Sequence, residues 1–131
     1  MNEPETPPGL APTPGYRYAD RVDDRLFVAG QVPLDVDANL VGAGDARAQA
    51  RQCLRNLETL VEHHGFATGD IHQLTVYVVG EHQNLLDAWD GVTDWFEGSV
   101  PPATLLGVSC LGYATQLVEI DATITRSLSG A

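Results

Sequence analysis

The sequence predicts an α+β fold: one mixed β-sheet with two helices packed on a single face. Three observations lead there. Strand and helix patterns follow one another in the order β-β-α-β-α-β-β. Each helical segment carries one apolar stripe, the mark of a helix that covers a sheet on one side only. The last strand alternates: Val118, Ile120, Ala122 and Ile124 fall on one face, and Leu117, Glu119, Asp121, Thr123 and Thr125 on the other. The first set suits a core beneath helices. The second is too mixed for a core, and an outer sheet face of this kind is often a subunit interface.

Residues 1–14 hold five of the eight prolines and few large apolar side chains, so they read as a flexible arm. One domain follows over residues 15–127, with a short tail at 128–131. Segments 16–22 and 26–29 read as two strands joined at Asp23-Asp24, a β-hairpin. Gly30-Gln31-Val32-Pro33 ends the second of them. Residues 34–44 form a loop with a short extended piece at 39–41. The first helix is expected over 45–64, where Ala50, Cys53, Leu54, Leu57, Leu60 and Val61 recur at helical spacing. Asp45 favours its positive end; His63 and His64 favour its negative end, and Gly65 stops it. Residues 71–79 are rich in β-branched side chains and read as a strand. A second helix over 84–96 lines up Leu85, Trp89, Val92 and Phe96, and Gly98 with Pro101-Pro102 ends it. Residues 103–108 and 117–125 are the last two strands, with a loop at 110–115 between them.

Composition narrows the function. A chain of 131 residues makes one domain with one core. Its 18 acidic side chains against 7 basic ones leave a formal net charge of −11, which repels phosphate backbones and argues against nucleic acid. There is no lysine, which removes Schiff-base and lysine general-base chemistry. Cys53 and Cys110 fit no metal spacing, and Cys53 falls on the apolar helix stripe. Adjacent His63 and His64 point about 100° apart on a helix and do not easily share one ion. No segment reaches the ~18 apolar residues of a membrane span, and the N-terminus lacks a signal pattern. A cytoplasmic protein with reduced thiols, no metal and no cofactor is expected.

Pro101-Pro102-Ala103-Thr104-Leu105-Leu106-Gly107-Val108, followed by Leu117-Val118-Glu119-Ile120-Asp121-Ala122, resembles the closing strands of the RidA/YjgF family, the small enamine/imine deaminases. The likeness is collinear from about Tyr16 to Arg126. Leu26-Phe27-Val28-Ala29-Gly30-Gln31-Val32-Pro33-Leu34 is similar to that family's Ser-Gly-Gln-Ile-Pro segment. Ala48-Gln49-Ala50-Arg51-Gln52-Cys53-Leu54-Arg55-Asn56-Leu57 is similar to its Gln…Asn helix. Gly69-Asp70-Ile71-His72-Gln73-Leu74-Thr75-Val76-Tyr77-Val78 is similar to its Asp-Val-Val-Lys-x-Thr-Val-Phe strand entry.

The resemblance implies a chorismate-mutase-like subunit in a homotrimer with a central β-barrel and small-molecule clefts between subunits. It implies a catalytic role for Glu119, which would position a water or relay a proton. Tyr16, Gly30 and Gln31 match cleft positions. Four others depart from the pattern. The arginine that holds a substrate carboxylate is replaced by Thr104, a pocket cysteine by Leu106, a helix asparagine by Trp89, and the serine before Gly-Gln by Ala29. A guanidinium fork is the natural clamp for a carboxylate, and threonine offers one hydroxyl and no charge. Three functions stay open. One is a deaminase-type hydrolase for an enamine or imine without the usual carboxylate. The second is a non-catalytic trimer binding an apolar or aromatic metabolite, and the third is a protein-interaction module.

Overall fold

The computed structural model describes residues 6–126. It has the strand and helix order expected: β1 (Ala19–Val22), β2 (Arg25–Val28), α1 (Ala46–His63), a 3-10 turn (Thr68–Asp70), β3 (Ile71–Val79), α2 (His82–Trp95), β4 (Ala103–Val108) and β5 (Val118–Thr125). The five strands form one sheet in the order β1-β2-β5-β3-β4. The β3–β4 pair, joined through α2, is parallel, and the other pairs are antiparallel. The last strand in the chain therefore lies at the centre of the sheet, and β4 is an edge.

Local chemistry explains most boundaries. Asp45 caps α1 by accepting the Ala48 N–H at 3.0 Å, and the chain leaves that helix through Gly65 in the left-handed region, φ 80°. The β1–β2 turn uses Asp23 at φ 54°, a conformation that aspartate tolerates better than most residues. Two starts differ from expectation. β1 begins at Ala19 rather than Tyr16, because side chains hold the preceding segment: the Thr13 hydroxyl donates to the Tyr16 carbonyl and the Tyr18 hydroxyl to the Ala11 carbonyl. α2 begins at His82 rather than Asn84. The Asn84 amide bonds back to the Val79 carbonyl at 2.9 Å, tying the helix's first turn to the end of β3 instead of capping it.

The helices lie on one face of the sheet. Cys53, Leu54, Leu57 and Val61 of α1 and Ala88 and Val92 of α2 share a core with Leu26, Leu74, Val76, Val78, Val118, Ile120 and Ile124 from the strands. Each such leucine or isoleucine contributes about 1.5–3 kcal/mol by leaving water. The two helices approach closely at Gly91, where a Cβ would stand 2.7 Å from the Arg47 carbonyl oxygen. The arm expected to be free through residue 14 is anchored part-way. Leu10 and Ala11 are buried, at 4% and 3% exposure, and the Ala11 carbonyl accepts the Tyr18 hydroxyl. Residues 1–5 and the proposed tail at 128–131 lie outside the described residues.

Two buried amides fasten the framework around β5. Gln49 of α1 accepts the Leu117 N–H at 2.7 Å and donates to the Gly42 carbonyl at 3.0 Å. Asn56 donates to the carbonyls of Val32 and Leu34, both at 2.9 Å. Both belong to the Gln…Asn helix segment, and both tie α1 to the loop ahead of it and to strand ends.

Candidate functional site

Register fixes what shares the helix-free face. Tyr77 pairs with Glu119 on one side and Leu106 on the other, so Glu119, Tyr77 and Leu106 form one row across β5, β3 and β4. Asp121, Thr75 and Thr104 form the next row. With strands about 4.8 Å apart and residues ~3.3 Å apart along them, Leu106 stands about 10 Å from Glu119 and Thr104 about 12 Å away. Within one chain the expected anchor position and the expected acid are thus well beyond hydrogen-bonding reach. On β1 and β2 the same face continues through Val22 and Phe27, which are about half exposed.

Glu119 is closely held. Just after β2, Gln31 makes an isolated antiparallel bridge to Ile120: its N–H donates to the Ile120 carbonyl at 2.7 Å, and its carbonyl accepts the Ile120 N–H at 3.0 Å. That bridge brings Gly30 against the neighbouring Glu119 side chain. A Cβ on Gly30 would lie 2.3 Å from Glu119 Oε2 and 3.0 Å from its Cδ. The other oxygen, Oε1, accepts from Gln116 Nε2 at 3.3 Å. The Glu119 carboxyl is pushed above the usual carboxylate range. Burial is the main cause, the Gln116 hydrogen bond pulls the other way, and Asp121 adds to the rise.

Phenols surround this acid. Tyr16 is 41% exposed, and its phenol is pushed up by burial, then by Tyr113 and Glu119. Tyr18 is pushed up to about 12 by burial, then by Tyr16 and Tyr113. Tyr18 is also linked to the Gly30 segment, since its carbonyl accepts the Ala29 N–H at 2.8 Å. The thiol of Cys53 lies behind the sheet and reaches the Val118 carbonyl at 3.7 Å; full burial, then Glu119, holds it well above the ordinary thiol range. Cys110 is exposed on the β4–β5 loop, and neither cysteine is in a disulfide.

The residues singled out from sequence do not all meet. Glu119, Gly30 and Tyr16 come together. Gln31 belongs to the site through its backbone alone: pairing with Ile120 sends its side chain to the helix side, where it is 1% exposed and donates to the Ala29 carbonyl at 2.8 Å. Trp89 stands apart from this group. It packs against the core on α2, behind the sheet, because the helix stripe that holds Val92 turns it inward. Leu106 and Thr104 lie on the open face but at its edge strand.

Tyr77, Tyr113 and Gln116 were not anticipated. Tyr77 had a signal, since period-two alternation puts it with Thr75 and Gln73 on the outer face of β3. Tyr113 and Gln116 lie in a loop, where no periodicity speaks. Chemically, the arrangement offers one half-buried carboxyl that can hold a water and exchange a proton. Among the described residues no cluster of three or more His, Cys, Asp or Glu is placed to hold a metal ion, and no helix is long and apolar enough to cross a membrane.

Comparison with known proteins gives consistent results. The family model described as endoribonuclease L-PSP matches residues 8–125. A RutC family protein of Pyrococcus horikoshii is 31% identical over 107 residues, covering 82% of this chain and 83% of that one. A 2-iminobutanoate/2-iminopropanoate deaminase of Salmonella typhimurium is 41% identical over 63 residues, 47% of this chain and 48% of that one. The crystal structure of a conserved Rid family protein, YyfA of Yersinia pestis, superposes with a TM-score of 0.80 at 27% identity, covering 93% of this chain and 96% of that one.

Proposed function

The chain belongs to the endoribonuclease L-PSP family, the RidA/YjgF group, and from that premise we propose that it is an enamine/imine deaminase-type hydrolase whose substrate lacks a carboxylate. The observation that carries the reading is the Glu119 carboxyl, placed on the open sheet face with one oxygen on Gln116 and the other against Gly30. Imine hydrolysis needs water delivered to a C=N carbon and a proton delivered to nitrogen. A half-buried carboxyl whose proton affinity is raised by burial can both accept and return a proton. The deaminase name of the Salmonella relative supports the reaction class. The RNA-cleaving name of the family model does not transfer well to a chain of net charge −11, which repels a phosphate backbone.

The cleft is shared between copies. Thr104 and Leu106 are too far from their own Glu119 to line one pocket with it. A homotrimer that joins the open sheet faces into a barrel brings β4 of one copy to β5 of another and covers Val22 and Phe27. In dilute buffer, light scattering should return three times the chain mass of 14.1 kDa. A monomer at micromolar concentration would rule the shared cleft out. The protein is cytoplasmic in this reading.

Thr104 decides substrate class. Without a guanidinium, a carboxylate on the substrate loses a buried charge-assisted contact worth on the order of 2–5 kcal/mol. Imines without a carboxylate should therefore be hydrolysed, and the imino acids formed from 2-aminoacrylate should be poor substrates that improve in Thr104→Arg. Wild-type turnover of those imino acids equal to that of an arginine-bearing relative would overturn the assignment. The second reading, a non-catalytic binder of an apolar or aromatic metabolite, draws on the exposed Tyr16 and Tyr113 beside the carboxyl. It predicts saturable ligand binding with no turnover of any imine.

A further inference from the structure

We propose that Gln116 is the positioning residue of this site: its side-chain amide orients the Glu119 carboxyl and ties it to the loop between β4 and β5. The inference rests on the reading of Glu119 as the site's acid. Gln116 is 2% exposed and precedes β5 by two residues, in a loop whose neighbours are largely exposed. Burying an amide there is costly unless each end is satisfied. Its Oε1 accepts the Tyr113 N–H at 3.3 Å, and its Nε2 donates to the Val118 carbonyl at 2.9 Å and to Glu119 Oε1 at 3.3 Å. Its own N–H donates to the Tyr113 carbonyl at 3.1 Å.

Those partners determine which way the amide faces. A backbone N–H can only donate and a backbone carbonyl can only accept, so the oxygen must face Tyr113 and the nitrogen must face Val118. The nitrogen end is the one that reaches Glu119. The carboxyl thus meets a donor that two backbone groups hold in place, with no guanidinium or ammonium involved. A donor fixed in this way favours the ionised carboxylate and opposes the effect of burial. It also links the acid to Tyr113, whose phenol lies close enough to raise that of Tyr16. A shift of the loop would alter the hydrogen bond and with it the proton affinity of Glu119.

The other groups facing Glu119 are Asp121 on its own strand, Tyr77 on β3, Tyr16 ahead of β1, Tyr113 on the loop and the Cys53 thiol from α1 behind the sheet. All remain when Gln116 alone is changed. The test is a carbon-13 titration of the Glu119 side-chain carboxyl, assigned by its disappearance in Glu119→Gln. Gln116→Met keeps the length and removes the donor, so the midpoint should move to higher pH. Gln116→Glu keeps the acceptor for Tyr113 but places an acid beside Glu119, so the midpoint should move higher still. If Met unfolds the loop, the Glu variant decides alone. A midpoint unchanged in every folded variant overturns the inference, even where Glu119-dependent turnover has been found. A midpoint that moves supports it, even where no imine is hydrolysed and the proposed reaction fails. Where turnover exists, the acidic limb of the kcat–pH profile should follow the NMR midpoint, which a purely structural glutamine would not cause.

Discussion

Glu119→Gln is expected to lower turnover of a carboxylate-free imine by about 10²–10⁴-fold, the range that one positioned acid–base group supplies. The swap is nearly isosteric, and the amide oxygen can still accept from Gln116. What it loses is the ability to take up a proton at neutral pH. The fold has no need of the charge: packing on β5 comes from Val118, Ile120 and Ile124 on the opposite face. The pKa direction gives the stability effect a sign. Because the folded carboxyl titrates above its unfolded value, the folded state is favoured while Glu119 is protonated, and that advantage is lost as pH rises through the folded pKa. Glutamine does not titrate, so the variant's stability relative to wild type should grow across that window and be flat outside it. Overall the change should stay within about 1 kcal/mol in urea denaturation at pH 7. Full activity in the variant would remove Glu119 from the chemistry. Loss of assembly with turnover per assembled site unchanged would instead make it an interface residue.

Strand alternation and helix stripes were enough to read most of the framework. β3 and β4 fall where β-branched content and the Pro101-Pro102 stop place them, and α1 falls between Asp45 and Gly65. Such features are local, and local physics decides them. The start of β1 was not legible. Tyr16–Tyr18 has the composition of a strand, but the Thr13 hydroxyl holds the Tyr16 carbonyl and the Tyr18 hydroxyl reaches back to Ala11, and only the Tyr18 carbonyl still meets β2's end, at the Ala29 N–H. Glu119, Gly30 and Tyr16 are singled out by resemblance, and only Glu119 of the three acts from a regular element. Alternation puts Glu119 only on the mixed outer face of β5; its proposed role comes from the likeness of that strand to the RidA/YjgF family. The stripe reading places Trp89 with Leu85, Val92 and Phe96 against the core, as the structure has it, but helical spacing cannot say whether an aromatic at a stripe's margin also lines a cleft. Gln116 gave no sign at all, because its role depends on three partners that meet only after the loop has closed over β5.

Gly30→Ala is expected to leave a folded protein with turnover reduced on the order of 10²-fold, the cost of moving a catalytic group by about 1 Å. Gly30 does not occupy the left-handed region, so no backbone conformation demands glycine there. Space demands it. The new methyl would stand 2.3 Å from Glu119 Oε2, 3.0 Å from Cδ and 3.2 Å from Cγ, and all three atoms belong to one side chain. The backbone bridge between Gln31 and Ile120 holds both segments, so the flexible carboxyl is the part that yields. It would swing off the Gln116 amide, already at 3.3 Å, and lose the donor that opposes its burial. Stability should change little, because alanine also restricts the unfolded chain more than glycine does. Two measurements separate this from simple misfolding. The urea midpoint of the variant should lie close to that of wild type, and its Glu119 carboxyl should titrate differently. Normal kcat in a folded Gly30→Ala protein would mean that the carboxyl position set by this contact is not the one the reaction uses. The double variant Gly30→Ala, Glu119→Gln should be no slower than Glu119→Gln alone, because the methyl acts only through the acid it displaces.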